Sequence, residues 1–185
     1  MEIISKIDMD SAYFFASFPK DGAVCAVMRI ISRAGDYGLV WLLLGVILCL
    51  PGKRRFSGAC LFLSMLLCFV VCNLTLKPLV NRPRPFDMYP WITPLLIPED
   101  GFSFPSGHAA SSFAAACAMF MTLPRRWGFP ALALAAAIAA SRLFMRVHFL
   151  TDVVCGAIIG FMCAALSVFL LRALLRSCRH FPRRL

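Results

Sequence analysis

The chain has 185 residues, of which 61% are hydrophobic and 15% are charged, and its mean hydropathy is +0.80. Soluble domains carry about a quarter charged residues, so this composition excludes a soluble globular protein and indicates one embedded in a membrane. The net charge of +10 does not indicate a nucleic-acid partner, because the basic residues form short clusters between apolar runs instead of a single stripe.

The N-terminal segment, residues 1–36, begins with a stretch, residues 1–21, that does not resemble a signal peptide, because it mixes acidic residues with Lys6 where a basic stretch and an apolar core would stand. Within it, residues 22–34 carry Arg29 and Arg33 and are too few to cross a bilayer comfortably. We predict that this stretch forms an amphipathic helix lying at the membrane interface.

A membrane-crossing helix needs about 20 mostly apolar residues, and five later segments approach or reach that length. They are residues 37–50, 57–76, 107–123, 128–141 and 153–171. We therefore predict an all-α fold, an integral membrane bundle of about five transmembrane helices with an N-terminal interfacial helix.

The length fits a single domain, and the sequence contains no internal repeat and no low-complexity tract. We predict one membrane-embedded domain over residues 1–185. In it, the interfacial segment 1–36 precedes a catalytic helical core, 37–171, and a basic cytoplasmic tail, 172–185.

Three basic clusters predict how the chain is oriented in the membrane. Residues 53–55 follow the first predicted span, residues 125–126 follow the third, and several arginines follow the fifth. With alternating spans all three clusters lie on one side, which the positive-inside rule makes cytoplasmic. The segment 77–104 and the bend near His148 then lie on the opposite, extracytoplasmic face.

Seven of the nine cysteines lie inside apolar runs. The chain has no CxxC pair and no cysteine at metal-ligand spacing from a histidine, so we predict neither a disulfide framework nor a metal site. We interpret these cysteines as small packing residues and expect no metal and no cofactor.

Polar residues on the extracytoplasmic face suggest a phosphate site. Lys77, Arg84 and Arg142 place fixed cations at one membrane level, where a charge needs an anionic partner, and arginine donates paired hydrogen bonds to phosphate oxygens. The stretch 105–108, Pro-Ser-Gly-His, opens the third predicted span. Its glycine permits close backbone approach, and the start of the helix points N–H groups at a bound anion.

Two histidines add reactive groups to this face. His148 and Asp152 are four residues apart, so they share a face if one helix runs through both, and the carboxylate then fixes the imidazole tautomer. Nε2 of His148 is thereby free to act as nucleophile or base, and His108 can protonate a leaving oxygen. We interpret Arg82 and Arg146 as juxtamembrane arginines that extend to the lipid headgroups.

Three clusters follow one another in a fixed order. They comprise Lys77 with Arg84 and Pro85 after six intervening residues, then Pro105, Ser106, Gly107 and His108, then Ser141, Arg142, His148 and Asp152. In residue type, spacing and order this pattern resembles the three-part signature of the type 2 phosphatidic acid phosphatase superfamily, which also contains vanadium haloperoxidases and acid phosphatases.

The resemblance implies a role for each matched residue. It makes His148 the nucleophile that forms a phosphohistidine, Asp152 the residue that orients it, and His108 the general acid. The phosphoryl oxygens are bound by five residues: Lys77, Arg84, Ser106, Gly107 through its N–H, and Arg142. No metal is required for this chemistry.

The resemblance further implies a membrane lipid phosphatase acting on a lipid phosphate or pyrophosphate, with membrane lipids as its surroundings. The short chain favours undecaprenyl pyrophosphate and the bacterial inner (plasma) membrane. Phosphatidate, phosphatidylglycerophosphate and lipid A phosphates remain open as substrates, and a lipid phosphotransferase and a non-catalytic phosphate-lipid binder or transporter remain open as functions. A haloperoxidase is disfavoured because those enzymes are soluble.

Overall fold

The computed structural model describes residues 2–50, 52–96 and 101–180, with side chains as far as residue 177. No strand occurs in these ranges, so the predicted all-α fold is confirmed. The helices are α1 (Glu2–Ala16), α2 (Ala23–Ala34), α3 (Leu39–Cys49), α4 (Arg55–Phe69), α5 (Lys77–Val80), α6 (Pro85–Met88), α7 (Gly107–Thr122), α8 (Arg125–Phe144) and α9 (Leu150–His180). A π-helical turn, Val70–Leu76, joins α4 to α5.

Helix α7 is the centre of the bundle and packs against α4, α8 and α9. Its sequence is rich in alanine, and most of these alanines are fully buried. Close packing against α9 depends on Gly156 and Gly160, because a Cβ on Gly156 would lie 2.7 Å from the Ser106 carbonyl oxygen and one on Gly160 would meet the Ala110 carbonyl oxygen. Small residues at helix contacts are typical of membrane bundles, where they let backbones approach closely.

The outside of the bundle exposes large apolar side chains, among them Leu43, Leu66, Phe129, Phe161 and Phe169. A continuous apolar exterior of this kind is stable only against lipid. Among the described residues, three helical stretches are long and apolar enough to cross a membrane: Gly52–Met88, Arg125–Phe144 and Leu150–Ser177.

Two of the five predicted spans differ from this picture. Helix α3 has 11 residues, so at 1.5 Å per residue it is only about 16 Å long and cannot cross the roughly 30 Å hydrocarbon core alone. Helix α3 is long and apolar enough to cross a membrane only together with α2, from which it is bent by 48°. This bent pair is a fourth candidate span. Helix α7 has 16 residues and is surrounded mostly by protein.

The segment predicted as interfacial is α2, and it packs against α8 with Cys25 and Ser32 buried. Its opposite face exposes Val24, Val27 and Ile30. The predicted amphipathic helix is therefore present, but its polar Ser32 points into the bundle, for a reason that becomes clear at the site.

Two of the basic clusters meet at one end of the bundle. The Arg54 guanidinium carbon lies 5.8 Å from the centroid of the Trp127 ring, which brings the cluster before α4 next to the one at the start of α8. Ser57 at the same end donates to the Thr122 carbonyl oxygen at 3.3 Å, where α7 ends. Helix α7 thus ends at this basic end, and it begins with Gly107 at the opposite end of the bundle.

Candidate active site

His148 lies in the short link between α8 and α9, two residues before α9 begins at Leu150. The structure brings it next to Asp152 as predicted, although no single helix runs through both. The distance from His148 Nδ1 to Asp152 Oδ2 is 3.7 Å, longer than a hydrogen bond. Ser103 Oγ lies between them, 2.5 Å from Asp152 Oδ2 and 3.5 Å from His148 Nδ1.

Asp152 is fully buried and accepts hydrogen bonds on both carboxylate oxygens. The Phe149 N–H donates to Oδ2 at 2.9 Å, and Arg82 Nη1 donates to Oδ1 at 2.6 Å. Arg82 also donates through Nη2 to Asp8 Oδ2 at 2.6 Å. Asp8, almost fully buried in α1, accepts in turn from the backbone N–H and the hydroxyl of Thr151.

This network corrects the interpretation of Arg82 and Arg146 as headgroup-seeking arginines. Arg82 joins two buried carboxylates and lies over the Phe149 ring at 4.2 Å from its centroid. Arg146 is buried and donates to the carbonyl oxygens of Ala16 and Phe18 at 3.2 and 2.8 Å. Partners inside the protein make extension to the membrane surface unnecessary.

The two predicted phosphate-binding arginines are buried beside His148. Arg84 donates to the Gly101 and Val147 carbonyl oxygens at 3.1 and 3.2 Å, and Arg142 donates to Ser32 Oγ at 2.7 Å. This contact explains why Ser32 of α2 points inward. Hydrogen bonds of this kind fix the guanidinium planes in advance of any ligand.

Burial lowers the pKa of His148 to about 4, with the positive charges of Arg142 and Arg84 adding to the effect. The Asp152 carboxylate acts in the opposite direction and is outweighed. The imidazole of His148 is therefore neutral at neutral pH, the form in which a ring nitrogen can act as a nucleophile.

The residues predicted to form a phosphate cradle lie at the start of α7. Ser106 is the N-cap residue, and its backbone N–H donates to the Asp152 carbonyl oxygen at 3.0 Å, which links the start of α7 to that of α9. A Cβ on Gly107 would lie 3.5 Å from Asn73 Oδ1 and 3.9 Å from Lys77 Nζ. The π-helical turn before Lys77 therefore places the side chains of Asn73 and Lys77 at the start of α7. Turns of this kind recur at functional sites.

His108, one residue further along α7, is paired with Asp36. Its Nε2 lies 2.9 Å from Asp36 Oδ1, and the two side chains are 12% and 41% exposed. Asp36 belongs to the tight turn between α2 and α3, in which Tyr37 and Gly38 adopt left-handed backbone angles. This turn contacts the first turn of α7 through the pair of Asp36 and His108.

A cavity of about 770 Å³ lies beside this turn. Its polar wall contains Lys77, Gly107 and His108 from the predicted site, together with Arg33, Asp36, Asn73 and Ser111. Its apolar wall comes from the α4 side and includes Met65, Cys68 and Phe69. Phe69 is also half exposed, so the apolar wall of the cavity reaches the surface of the bundle.

The structure thus brings the predicted residues into two adjoining groups. Lys77, Gly107 and His108 line the cavity, whereas Arg84, Arg142 and His148 are packed in the protein behind it, and Ser106 connects the groups. Sequence reasoning missed several polar residues of the site, among them Asp8, Asp36, Asn73 and Ser103. Their one sequence signal is a polar residue within or next to an apolar stretch.

Comparison with known proteins identifies the family. The model of the PAP2 superfamily matches residues 57–176, more than half of the chain. The chain belongs to the PAP2 superfamily. The predicted family and the predicted enzyme class are confirmed: this PAP2 protein is a membrane phosphatase.

Among the relatives of this PAP2 protein is the decaprenylphosphoryl-5-phosphoribose phosphatase of Mycobacterium tuberculosis, which is 32% identical over 141 residues, 73% of each chain. The undecaprenyl-diphosphatase of Sulfolobus acidocaldarius is 28% identical over 146 residues, 77% of this chain and 68% of the relative. The fold is similar to that of a crystallised transmembrane PAP2-type phosphatidylglycerolphosphate phosphatase from Bacillus subtilis. The TM-score is 0.73 at 23% identity, over 98% of this chain and 90% of that one.

Proposed function

We propose that this membrane lipid phosphatase hydrolyses the terminal phosphate of a polyprenyl diphosphate, of the undecaprenyl pyrophosphate class, through a phosphohistidine on His148. The observation that carries the proposal is the cavity. On one side it is lined by the cation of Lys77 and by the N-terminus of α7 at Gly107, and on the other side by an apolar wall that reaches the surface of the bundle. Such a cavity suits a phosphate headgroup attached to a long apolar tail. The two relatives described above, which are named for decaprenyl and undecaprenyl compounds, support the choice of tail.

In the proposed reaction, Lys77, Arg84 and Arg142 neutralise the transferred phosphoryl group together with the hydroxyl of Ser106 and the N–H of Gly107. Fixed cations and N–H dipoles stabilise the charge that develops in phosphoryl transfer without reorganising. Nδ1 of His148 faces Ser103 and Asp152, so Nε2 is the nitrogen that attacks phosphorus. His108 protonates the departing oxygen, and water then releases inorganic phosphate from His148.

A panel of lipid substrates in detergent tests this proposal. Undecaprenyl pyrophosphate should release phosphate with a kcat/KM at least tenfold above those of phosphatidate, phosphatidylglycerophosphate and a lipid A phosphate. A preference for one of the other three would overturn the polyprenyl assignment and leave the phosphatase chemistry in place. Phosphate release by the purified protein without a lipid acceptor is expected, and release only when an acceptor is added would indicate a phosphotransferase.

We also propose that the site faces the extracytoplasmic side of a bacterial plasma membrane. The basic clusters that meet near Arg54 and Trp127 lie at the end of the bundle opposite the site, and basic loops are retained in the cytoplasm. Single cysteines at Lys20 and Lys53, in a background without the native cysteines, test this orientation. An impermeant thiol reagent added outside intact cells should label position 20 and not position 53, and the reverse result would overturn the orientation.

A further inference from the structure

The pairing of His108 with Asp36 is assigned no role by the family signature, because Asp36 lies outside the three motifs. The contact joins two distant parts of the chain, the turn after α2 and the first turn of α7. We propose that Asp36 is the positioning residue of the general acid: it holds the His108 ring through Nε2 and favours its protonated form. This inference rests on the proposed function of His108.

The backbone around Asp36 is shaped to make this contact. A Cβ on the preceding Gly35 would lie 2.9 Å from His108 Cδ2 and 2.7 Å from Ile138 Cγ2, so the turn is pressed directly against the imidazole and α8. Tyr37 and Gly38, at φ 54° and 68°, reverse the chain immediately after Asp36. One helical turn earlier, Ser32 holds Arg142. The end of α2 therefore fixes two groups of the proposed site.

The geometry decides which nitrogen moves the proton. Nε2–H of His108 donates to Asp36 Oδ1, so Nδ1 is the nitrogen that serves the leaving group. As the bond from His148 Nε2 to phosphorus forms and the bond to the leaving oxygen breaks, the Nδ1 proton passes to that oxygen. His108 is then neutral and keeps its Nε2–H on Asp36. In the second step Nδ1 takes a proton from the attacking water while the phosphorus–nitrogen bond breaks, which restores the starting state.

The carboxylate also changes the charge balance around His108. An adjacent negative charge favours imidazolium over the neutral ring, and the partial exposure of Asp36 weakens this effect. Other ionisable groups share the cavity and oppose or modulate this effect, namely Arg33, Tyr37, Lys77, Cys68 and Cys72. Behind Ser106, whose N–H donates to the Asp152 carbonyl oxygen, the described ionisable groups are those of the network around Asp152. Asp36 is the carboxylate in hydrogen-bonding contact with His108 in the described part of the chain.

The test measures the pKa of His108 in the full-length, unliganded protein by NMR with histidine-selective ¹⁵N labelling. Signals are assigned with the variants His108→Gln and His148→Gln. Asp36→Asn should lower the pKa of His108, because the adjacent negative charge is removed, and Asp36→Glu should restore most of the shift. The matched control, Asp21→Asn, removes an exposed carboxylate from the same N-terminal segment and should leave the pKa unchanged.

The kinetic part of the test compares substrates. Asp36→Asn should reduce kcat about tenfold on a lipid monophosphate, whose alkoxide needs the proton, and less than threefold on p-nitrophenyl phosphate. In the His108→Ala background the same change should have no further effect. An unchanged His108 pKa in Asp36→Asn, or an equal loss on both substrates, overturns the proposal. Because the titration needs no substrate, its result is independent of whether the polyprenyl assignment is correct.

Discussion

The surroundings of His148 and His108 differ in burial and in the number of partners, and this difference suits the different tasks that we propose for the two rings. The His148 side chain is 1% exposed and lies against the network of Ser103, Asp152, Arg82 and Asp8. The His108 side chain is 12% exposed, lines the cavity and pairs with the partly exposed Asp36. A nucleophile gains from a fixed position and a neutral ring, whereas an acid must keep its proton and remain within reach of the departing group.

The largest expected effect tests the nucleophile. His148→Ala removes the atom that bonds to phosphorus, so turnover should fall by roughly 10⁴-fold or more on every substrate. Trapping with a ³²P-labelled substrate should show acid-labile, alkali-stable label on the wild type and none on the variant. The thermal unfolding midpoint of the variant is the control for folding, and residual label on a folded His148→Ala protein would contradict the assignment.

The next effect separates the acid from the nucleophile. His108→Ala removes proton donation, worth about 10²–10⁴-fold, and the loss should depend on the leaving group. It should be greatest on a lipid monophosphate, intermediate on a lipid pyrophosphate and smallest on p-nitrophenyl phosphate. The measurement is kcat/KM across the three substrates, and equal losses on all of them would falsify the division of labour between the histidines.

A smaller effect is expected from the outer end of the His148 network. Asp8→Asn removes one of the two carboxylates that Arg82 joins, so activity should fall about tenfold, the equivalent of one charge-assisted hydrogen bond. Loss of a partner from a buried ion pair costs about 3–5 kcal/mol, and the partial exposure of Arg82 should reduce this to about 1–3 kcal/mol. The unfolding midpoint should therefore also fall.

The matched control for this change is Asp10→Asn, which removes an exposed carboxylate from the same helix. Activity and unfolding midpoint should both stay at wild-type values in that variant. If Asp8→Asn behaved like Asp10→Asn, the network would end at Arg82 and α1 would contribute nothing to the site.

The smallest difference concerns titration. The depressed pKa of His148 means that its ring stays neutral until the pH falls to about 4, well below the ordinary 6.5. Protonation below that value removes the nucleophilic lone pair, so inactivation at acid pH should follow this titration. The His148 resonance in ¹⁵N-histidine NMR should show a midpoint near pH 4. A His148 midpoint above 6 would mean that burial does not control the ring.

The sequence predicted the motif residues and missed the residues that hold them. Lys77, Arg84, His108 and His148 could be assigned because the signature fixes their type and spacing. Asp36 could not, because its partner is 72 residues away and a carboxylate in a short polar turn is more often solvated. The same holds for Asp8, which stands in α1 two residues before another aspartate, Asp10.

The fold shows a similar limit. Hydropathy predicted the all-α bundle and the segments of α4, α8 and α9, since a long uncharged run has few alternatives. It did not predict that α3 is too short to cross alone or that α2 precedes it at a bend of 48°. Bends are set by local backbone geometry, here the left-handed Tyr37 and Gly38, which average hydropathy does not record.

The close packing of α9 against α7 has a consequence for how the protein is made. Asp152, at the start of α9, receives Arg82 and provides the carbonyl that holds Ser106, and Gly156 brings α9 into contact with Ser106. The last long helix therefore completes a site whose other parts enter the membrane earlier, beginning with Asp8. A nascent chain that has inserted α4, α7 and α8 cannot yet hydrolyse a lipid phosphate. Enzymatic activity should appear in one step during synthesis, when α9 leaves the translocation channel and docks.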